Sequence, residues 1–388
     1  MNLLVASIAL ALCLWVPARL SADDGPEAGV VHLVRNADSA FDRYTNGPGQ
    51  DWIRNHFHRM IVYSPYFDSR LSWYPDGLAY ADLYAVYTNR GNAEPDREWI
   101  LKDVSGNKLY IPWGCSRGAC PQYAADPSNA AYRQWWINRA QDLLSRGYKG
   151  LFIDDVNMEF RVGNGASAFV NPLDPNTGKA MTWGDWRRYI AEFTEQIRAA
   201  FPDIEIVHNS IWFAGPAGVR DLDPYIQRQI AAANVLLVEF GVNDPGLTGG
   251  NGIFSLNSLL GYIDRLHLAG RGAIIGGVDA DAASREYVLA NYFLVSNGAD
   301  FLGSHLLTVD NWWDGFEVRL GTPLGPRKEW NGLLRRDFSG GIVLVNPPQG
   351  SLTTATLPGS FRIIDEDRFV TSVVLGPAKG IVLLTGTK

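Results

Sequence analysis

The chain has 388 residues, 46% of them hydrophobic and 19% charged, which is enough apolar material to bury a large core. Its formal net charge is −7 and it carries no basic run, so nucleic acid is set aside as a partner. Aromatic residues are plentiful, with 13 Trp, 16 Tyr and 17 Phe, and several Trp sit among polar neighbours, as in Trp73-Tyr74-Pro75, Trp113-Gly114 and Trp312-Trp313-Asp314. Such rings either fill a core or stack on the apolar face of a sugar.

Residues 3–18 form an uncharged apolar run, followed by Arg19-Leu20-Ser21-Ala22 and then Asp23-Asp24. This has the order of a secretory signal covering residues 1–22, although no Lys or Arg precedes the run. The run is short for a membrane span. The reading is a secreted or periplasmic chain with no stable membrane insertion after cleavage. Cys13 follows Leu12 where a lipidation signal needs a small residue, so no lipid anchor is expected. Removing the signal leaves Cys115 and Cys120. An even pair in an exported chain favours a small loop disulfide over two free thiols, and a metal site there is the weakest reading.

Residues 23–50 are polar and rich in Gly and Asp, and are expected as an N-terminal arm. Residues 60–66 then predict the first strand, 82–87 the second and 98–101 the third, with 108–113 as a hairpin or loop partner to it. Asp126-Pro127-Ser128-Asn129 offers helix-start chemistry for a helix over about 130–146, with Trp136, Ile137, Ala140, Leu143 and Leu144 on one face. Residues 150–157, Gly-Leu-Phe-Ile-Asp-Asp-Val-Asn, read as a buried fourth strand that delivers acids at its carboxyl end. A long Gly-, Asn- and Pro-rich loop over 159–182 follows, of a length that is usually functional.

The alternation continues with a helix over 183–201, a strand over 204–209, a helix over 223–232 with Asp223 as cap and Pro224 at its first position, and a sixth strand over 235–240 that delivers Glu239. A helix over 255–269, a strand over 273–279, a helix over 282–296 and a strand over 300–305 complete it. Alternating strands and helices with polar strand ends predict an α/β fold, a (β/α)₈ TIM barrel, spanning 23–332 with its arm. After Trp330 only short strands and turns appear, which predicts a small C-terminal all-β domain, a β-sandwich over 333–388.

Polar residues at the carboxyl ends of barrel strands collect in one mouth. Asp154 and Glu239 are therefore expected to face each other there. Two such carboxyl groups are the minimum equipment for cleaving a glycosidic bond, one protonating the leaving oxygen and the other attacking the anomeric carbon or activating water. Side chains alternate along a strand, so only one of Asp154 and Asp155 can point fully into the mouth; Asp154 shares parity with Phe152 and Asp155 with Ile153, and periodicity does not choose between them. The bland alternative is that both acids cap loops or pair with an arginine. Tyr66, Asp68, Asp155, Asn209, Asp279 and His305 are candidates for gripping sugar hydroxyls, and Trp113, Trp212 and Trp312 for stacking. His56 and His58 read as structural.

The order Gly-x-x-Ile-Asp at 150–154, Val-His-Asn-Ser at 207–210 and Val238-Glu239 resembles the barrel of glycoside hydrolase family 66, the dextranase group. It is still more similar to the glycoside-hydrolase-like barrels, in particular glycoside-hydrolase-like family 15, over about residues 55–330. The resemblance implies that Asp154 is a nucleophile and Glu239 the acid/base of a retaining glycosidase, with their carboxyl groups about 5–5.5 Å apart. Asp155 departs from that pattern, as do the cleft loops, so dextran does not carry over as the substrate. The implied partner is a polysaccharide or oligosaccharide, with no cofactor and no metal. Two other readings stand beside it. One is a metal-dependent carbohydrate hydrolase or deacetylase using Asp154, Asp155 and a histidine; its weakness is that the six His are scattered, without His-x-x-x-His spacing. The other is a barrel that binds glycans without cleaving them.

Overall fold

A computed structural model of the protein describes residues 28–44, 46–87, 97–116, 120–165, 169–212, 222–278, 281–364 and 366–386. The proposed signal segment lies outside the described residues. Eight parallel strands close into a barrel: β1 (Leu33–Asn36), β2 (Arg59–Val62), β3 (Gly77–Asp82), β4 (Gly150–Asp154), β5 (Glu205–Asn209), β6 (Val235–Val238), β7 (Gly272–Ile275) and β8 (Phe301–Ser304), with β8 pairing back onto β1. Helices α1 (Pro48–His56), α2 (Ala130–Ser145), α3 (Trp183–Ala200), α4 (Pro224–Ala232), α5 (Leu256–Leu268) and α6 (Ala282–Val295) link successive strands. Where β2 meets β3 the link is instead a short 3₁₀ turn, Asp68–Arg70. The fold is thus a (β/α)₈ barrel. Among the described residues no helix is long and apolar enough to cross a membrane.

Local chemistry explains these boundaries. The strands are almost wholly buried, as in β6 (Val-Leu-Leu-Val) and β7 (Gly-Ala-Ile-Ile), because a parallel sheet inside a ring of helices has no wet face. The helices start where a side chain can take the first free amides. Asn129 accepts from Ala131 and Tyr132, Asp223 from Tyr225 and Ile226, Ser255 from Ser258 and Asp281 from Ser284. Thr182 and Asp185 cap each other reciprocally at the start of α3.

The barrel is filled by Val34, Ile61, Leu78, Phe152, Val207, Val235, Leu237 and Ile274, with Tyr80 and Phe301 against them. The alternate residues, such as Leu33, Met60, Leu151, Ile153, Ile206, Leu236 and Ile275, belong to the layer between barrel and helices. Because strand side chains alternate, each lumen residue predicts another inward position two residues on. That parity carries Val34 to Asn36, Ile61 to Tyr63, Tyr80 to Asp82, Phe152 to Asp154, Val207 to Asn209 and Leu237 to Glu239. It settles what periodicity left open: Phe152 is the lumen residue, so Asp154 is the acid that points inward.

Three strand expectations are corrected. The first barrel strand is Leu33–Asn36, within the stretch expected as an arm; His32 and Arg35 make it look polar, but Arg35 turns outward onto the Phe41 ring and donates from Nε to the Leu307 carbonyl at 2.6 Å. The barrel strand expected over 82–87 ends at Asp82, and Ala85–Tyr87 instead pairs antiparallel with Gln122–Ala124. Residues 98–101 are not a barrel strand. Arg97–Trp99 is a 3₁₀ turn, and Ile100 bridges Ala125. The segment after β3 is therefore an excursion that builds a wall beside the barrel mouth, tied by Tyr110 to Gly163 and by a Cys115–Cys120 disulfide.

The C-terminal strands β9 (Lys328–Trp330), β10 (Leu333–Phe338), β11 (Gly341–Asn346), β12 (Thr353–Ile363), β13 (Phe369–Leu375) and β14 (Lys379–Thr385) form one antiparallel sheet in the order β9-β10-β11-β14-β12-β13, where two facing sheets were expected. The long strand β12 shifts register between Thr356 and Phe361; both halves pair with β13, and only the second, from Phe361 on, pairs with β14 as well. Leu333, Ile342, Leu344, Leu357, Phe361 and Leu375 then bury together without a second sheet. Val343, Val345 and Val382 join the main core, and Gly380 lies where a Cβ would touch Ala290 and Tyr287 of α6.

Candidate active site

The carboxyl ends of the barrel strands open into a cavity of about 590 Å³. Asn36, Tyr63, Asp82, Asp154, Asn209, Glu239 and His305 line it from seven successive strand ends, and Tyr80 and Phe152 floor it. Asp154 and Glu239 thus share one cavity. So do Asp155, Asn209, Trp212, Trp113 and His305.

Asp154 is the most tightly held of these groups. Its Oδ1 accepts from Asn209 Nδ2 at 2.9 Å and from the Asp155 amide at 2.9 Å, and its Oδ2 accepts from the Tyr80 hydroxyl at 2.6 Å. Donors from two neighbouring strands and from its own chain fix the plane of the carboxyl group. The Asp155 amide reaches inward because the chain leaves the strand there, with Asp155 at φ 55°. Asp155 is held in turn by Asn157, whose Nδ2 donates to Oδ1 at 3.0 Å. Burial raises the pKa of Asp155 to about 7, the Asp154 charge adds to this, and Arg161 opposes it.

Glu239 stands exposed on the wall formed by β6, close enough to Asp155 and His305 for its charge to act on both. Its backbone is fixed by β7: a Cβ on Gly276 would fall 1.9 Å from the Glu239 carbonyl oxygen. The rim is aromatic. Trp113 is 66% exposed and Phe240 59%, while Trp212 stacks on Phe254 at 5.4 Å and 19°.

The structure does not bring every expected residue to the cavity. Tyr66 donates from its hydroxyl to the Asp38 carbonyl at 2.8 Å and carries Arg70 over its ring, against the 3₁₀ turn Ser39–Tyr44. Asp68 accepts from Tyr148 at 2.6 Å, Ser64 at 2.9 Å and Arg146 at 2.9 Å. Desolvation alone would raise its pKa; those donors outweigh it and lower it. Trp312 packs between Trp52 and His56 and donates to Glu317. All three serve packing or local pairing. Asp279 lies outside the described residues.

Tyr63, Tyr80, Asp82 and Arg161 line the cavity without having been singled out from the sequence. Asp82 is the important omission. It is the register partner of Asp154 on the adjacent strand, and the Tyr80 hydroxyl lies 3.0 Å from its Oδ1. Burial raises its pKa to about 8, and the charges of Asp154 and Asp155 push the same way. The signal was present: Gly77–Asp82 is, like Gly150–Asp154, a run from Gly through mostly apolar residues to Asp. Placing the strand over 82–87 hid that acid at a strand start.

Compared by sequence, the chain matches no protein-family model and no curated protein. Solved structures resemble it in fold. The trehalose-6-phosphate hydrolase of Bacillus licheniformis aligns with a TM-score of 0.50 at 12% identity, over 92% of this chain and 99% of that one. The alpha-amylase of Geobacillus thermoleovorans aligns at 0.47 and 10% over 93% and 99%, and the glycoside hydrolase domain of PelA from Pseudomonas aeruginosa at 0.41 and 18% over 72% and 97%.

Proposed function

We propose that the protein is a secreted glycoside hydrolase acting on a polysaccharide or oligosaccharide, with Asp154 as nucleophile and Glu239 as acid/base. One observation carries the reading: an aspartate carboxyl group oriented by three donors, in the floor of a cavity whose wall holds an unburied glutamate. Orientation of this kind is what nucleophilic attack needs, because a fixed carboxyl oxygen aimed at one point reacts without first losing rotational freedom. The exposed Trp113 and Phe240 offer apolar faces on which sugar rings stack. A trehalose-6-phosphate hydrolase shares the fold.

In the first step an Asp154 oxygen attacks the anomeric carbon while Glu239, in its acid form, gives its proton to the departing oxygen. In the second, Glu239 takes a proton from water, whose oxygen displaces Asp154 from the anomeric carbon. The two-step route retains configuration and requires carboxyl groups about 5–5.5 Å apart. The motif order of the chain, which resembles glycoside-hydrolase-like family 15 and glycoside hydrolase family 66, supports this route. The Cys115–Cys120 disulfide suits an exported chain.

The test is a reducing-end assay of the purified protein on a panel of bacterial and plant polysaccharides, repeated with Asp154→Asn and Glu239→Gln. Each variant is expected to lose at least about a thousandfold in kcat on the substrate found. Turnover unchanged in both would overturn the assignment. Tight oligosaccharide binding with no new reducing ends would mark a glycan-binding barrel instead.

A further inference from the structure

Tyr80 has one hydroxyl proton, yet its oxygen lies within hydrogen-bond distance of two carboxyl groups, 2.6 Å from Asp154 Oδ2 and 3.0 Å from Asp82 Oδ1. A hydroxyl can donate once and accept from others. If it donates to Asp154, over the shorter distance, then a hydrogen bond to Asp82 requires the proton to come from Asp82. The surroundings suit that arrangement. Asp82 sits beside Asp154 at the end of β4 and near Asp155 just after it, and its own strand supplies Tyr80. From α2 the Tyr132 hydroxyl is committed to the Leu83 carbonyl, and Trp136 donates to the Asp82 backbone carbonyl rather than to the carboxyl group. Tyr63, at the end of β2, packs on the Tyr80 ring at 4.6 Å. Arg139 is the cation that acts on Asp82, and it is exposed on α2 and lies over the Trp135 ring. Two ionised carboxylates flanking one hydroxyl would repel each other with little to offset it.

We propose that Asp82 is a neutral carboxylic acid that donates to the Tyr80 oxygen, so that Tyr80 donates to Asp154 and the three side chains form a one-way hydrogen-bond chain. Asp82 is a positioning residue: it acts by aligning the Tyr80 proton on Asp154. A second carboxylate at that distance would instead draw the Tyr80 proton away. Losing the Asp82 proton therefore leaves two carboxylates competing for one hydroxyl proton, which weakens the donor on Asp154 Oδ2. The protonation state stands on the geometry alone; its effect on turnover rests on Asp154 being the nucleophile.

The deciding measurement is infrared difference spectroscopy on full-length protein labelled with ¹³C-carboxyl aspartate, wild type against Asp82→Asn. At mildly acidic pH the wild type is expected to show a protonated-carboxyl band that Asp82→Asn lacks and Tyr80→Phe shifts. The band should fade as pH rises through about 8. If Asp82→Asn does not fold, the titration and the Tyr80→Phe shift decide the matter in an Asp155→Asn background, which removes the other raised aspartic acid. Absence of a protonated-carboxyl band, or a band insensitive to Tyr80→Phe, overturns the proposal whether or not a substrate has been found. Where the glycosidase assay succeeds, the ratio of kcat for Asp82→Asn to kcat for wild type should rise by about threefold or more between about pH 6 and about pH 9. A flat ratio would remove the catalytic consequence.

Discussion

Asn209 Nδ2 donates to Asp154 Oδ1 at 2.9 Å, across the boundary between two barrel strands. Both side chains point inward by the same parity, from Phe152 and Val207 in the layer below. Removing the amide takes away one of the three donors that fix the plane of the Asp154 carboxyl group and leaves the Asp155 amide and the Tyr80 hydroxyl to hold it. Asn209→Ala is therefore expected to lower kcat by about ten- to a hundredfold with a smaller change in KM. Asn209→Asp should be worse, since it puts a like charge where a donor stood. Steady-state kinetics on the substrate identified by the reducing-end assay checks both, and a pure KM effect would move Asn209 from orientation to sugar binding.

Gly276 offers a way to move Glu239 without altering it. A Cβ there would fall 1.9 Å from the Glu239 carbonyl oxygen and 2.9 Å from that of Val238, so the backbone of β6 or β7 must shift. Gly276→Ala is expected to cost roughly a hundredfold in kcat, the scale of an ångström's misplacement at a reacting centre. Circular dichroism should show a retained fold with a lower melting temperature. Added to Glu239→Gln, the change should cost little more, because the group it displaces has already gone. Wild-type turnover in Gly276→Ala would show that the Glu239 backbone position is not limiting.

Much of this arrangement was legible in the sequence because a barrel strand announces itself twice, by a short apolar run and by the polar residue that ends it. Residues 150–154 and 235–239 do both, and the acids they carry share one cavity. Leu33–Asn36 was missed because His32 and Arg35 interrupt the pattern, and the buried Arg35 depends on the Leu307 carbonyl, 272 residues away, that no local window contains. Asp82 was missed for a related reason. The acid belongs to the strand before it, Gly77–Asp82, and a reading that starts a strand at the acid cannot see that. Tyr66 and Asp68 follow β2 as expected, but the chain turns them toward Asp38, Arg146 and Tyr148 and away from the mouth. Strand alternation says which residues point inward while the strand lasts; it says nothing about the loop beyond.

His208 makes the fold sensitive to acid. It lies on β5 between lumen-facing Val207 and Asn209 and therefore points outward, fully buried, with Nδ1 2.8 Å from Gln229 Nε2 of α4. Its Nε2 meets no hydrogen-bond partner among the described residues. Burial pushes its pKa down to about 3, and the Arg198 charge adds to that. The unfolded chain takes up this proton near pH 6.5, the folded one only near the lower value. The His208 contribution to stability is therefore constant above about pH 6.5 and is lost as pH falls toward 3, by up to about 1.4 kcal/mol per pH unit. His58, lowered to about 4 by burial and by His32, acts in the same direction. Thermal melts of wild type and His208→Gln at pH 7.5 and pH 5 test this. The wild type should lose several degrees more than the variant on acidification, and equal losses would show that His208 is not the sensor.

The disulfide joins the stability of the fold to the shape of the cleft. Cys115 and Cys120 are five residues apart, so the bond closes a short ring, and Ile111, Pro112 and Trp113 just before it line the cavity. In the chain-entropy account so short a ring stabilises by only about 2 kcal/mol. Replacing both cysteines by alanine should therefore lower the melting temperature by a few degrees without unfolding the barrel, whose core does not depend on this loop. The larger effect is expected in binding, because Trp113 is 66% exposed and the bond two residues away limits where its ring can stand. Stacking on a sugar then orders a ring that the wild type already holds in place. The variant should show a raised KM with kcat nearly unchanged, and treating the wild type with a reductant should reproduce that shift reversibly. A fall in kcat with KM unchanged would place the loop in the chemistry and not in the grip.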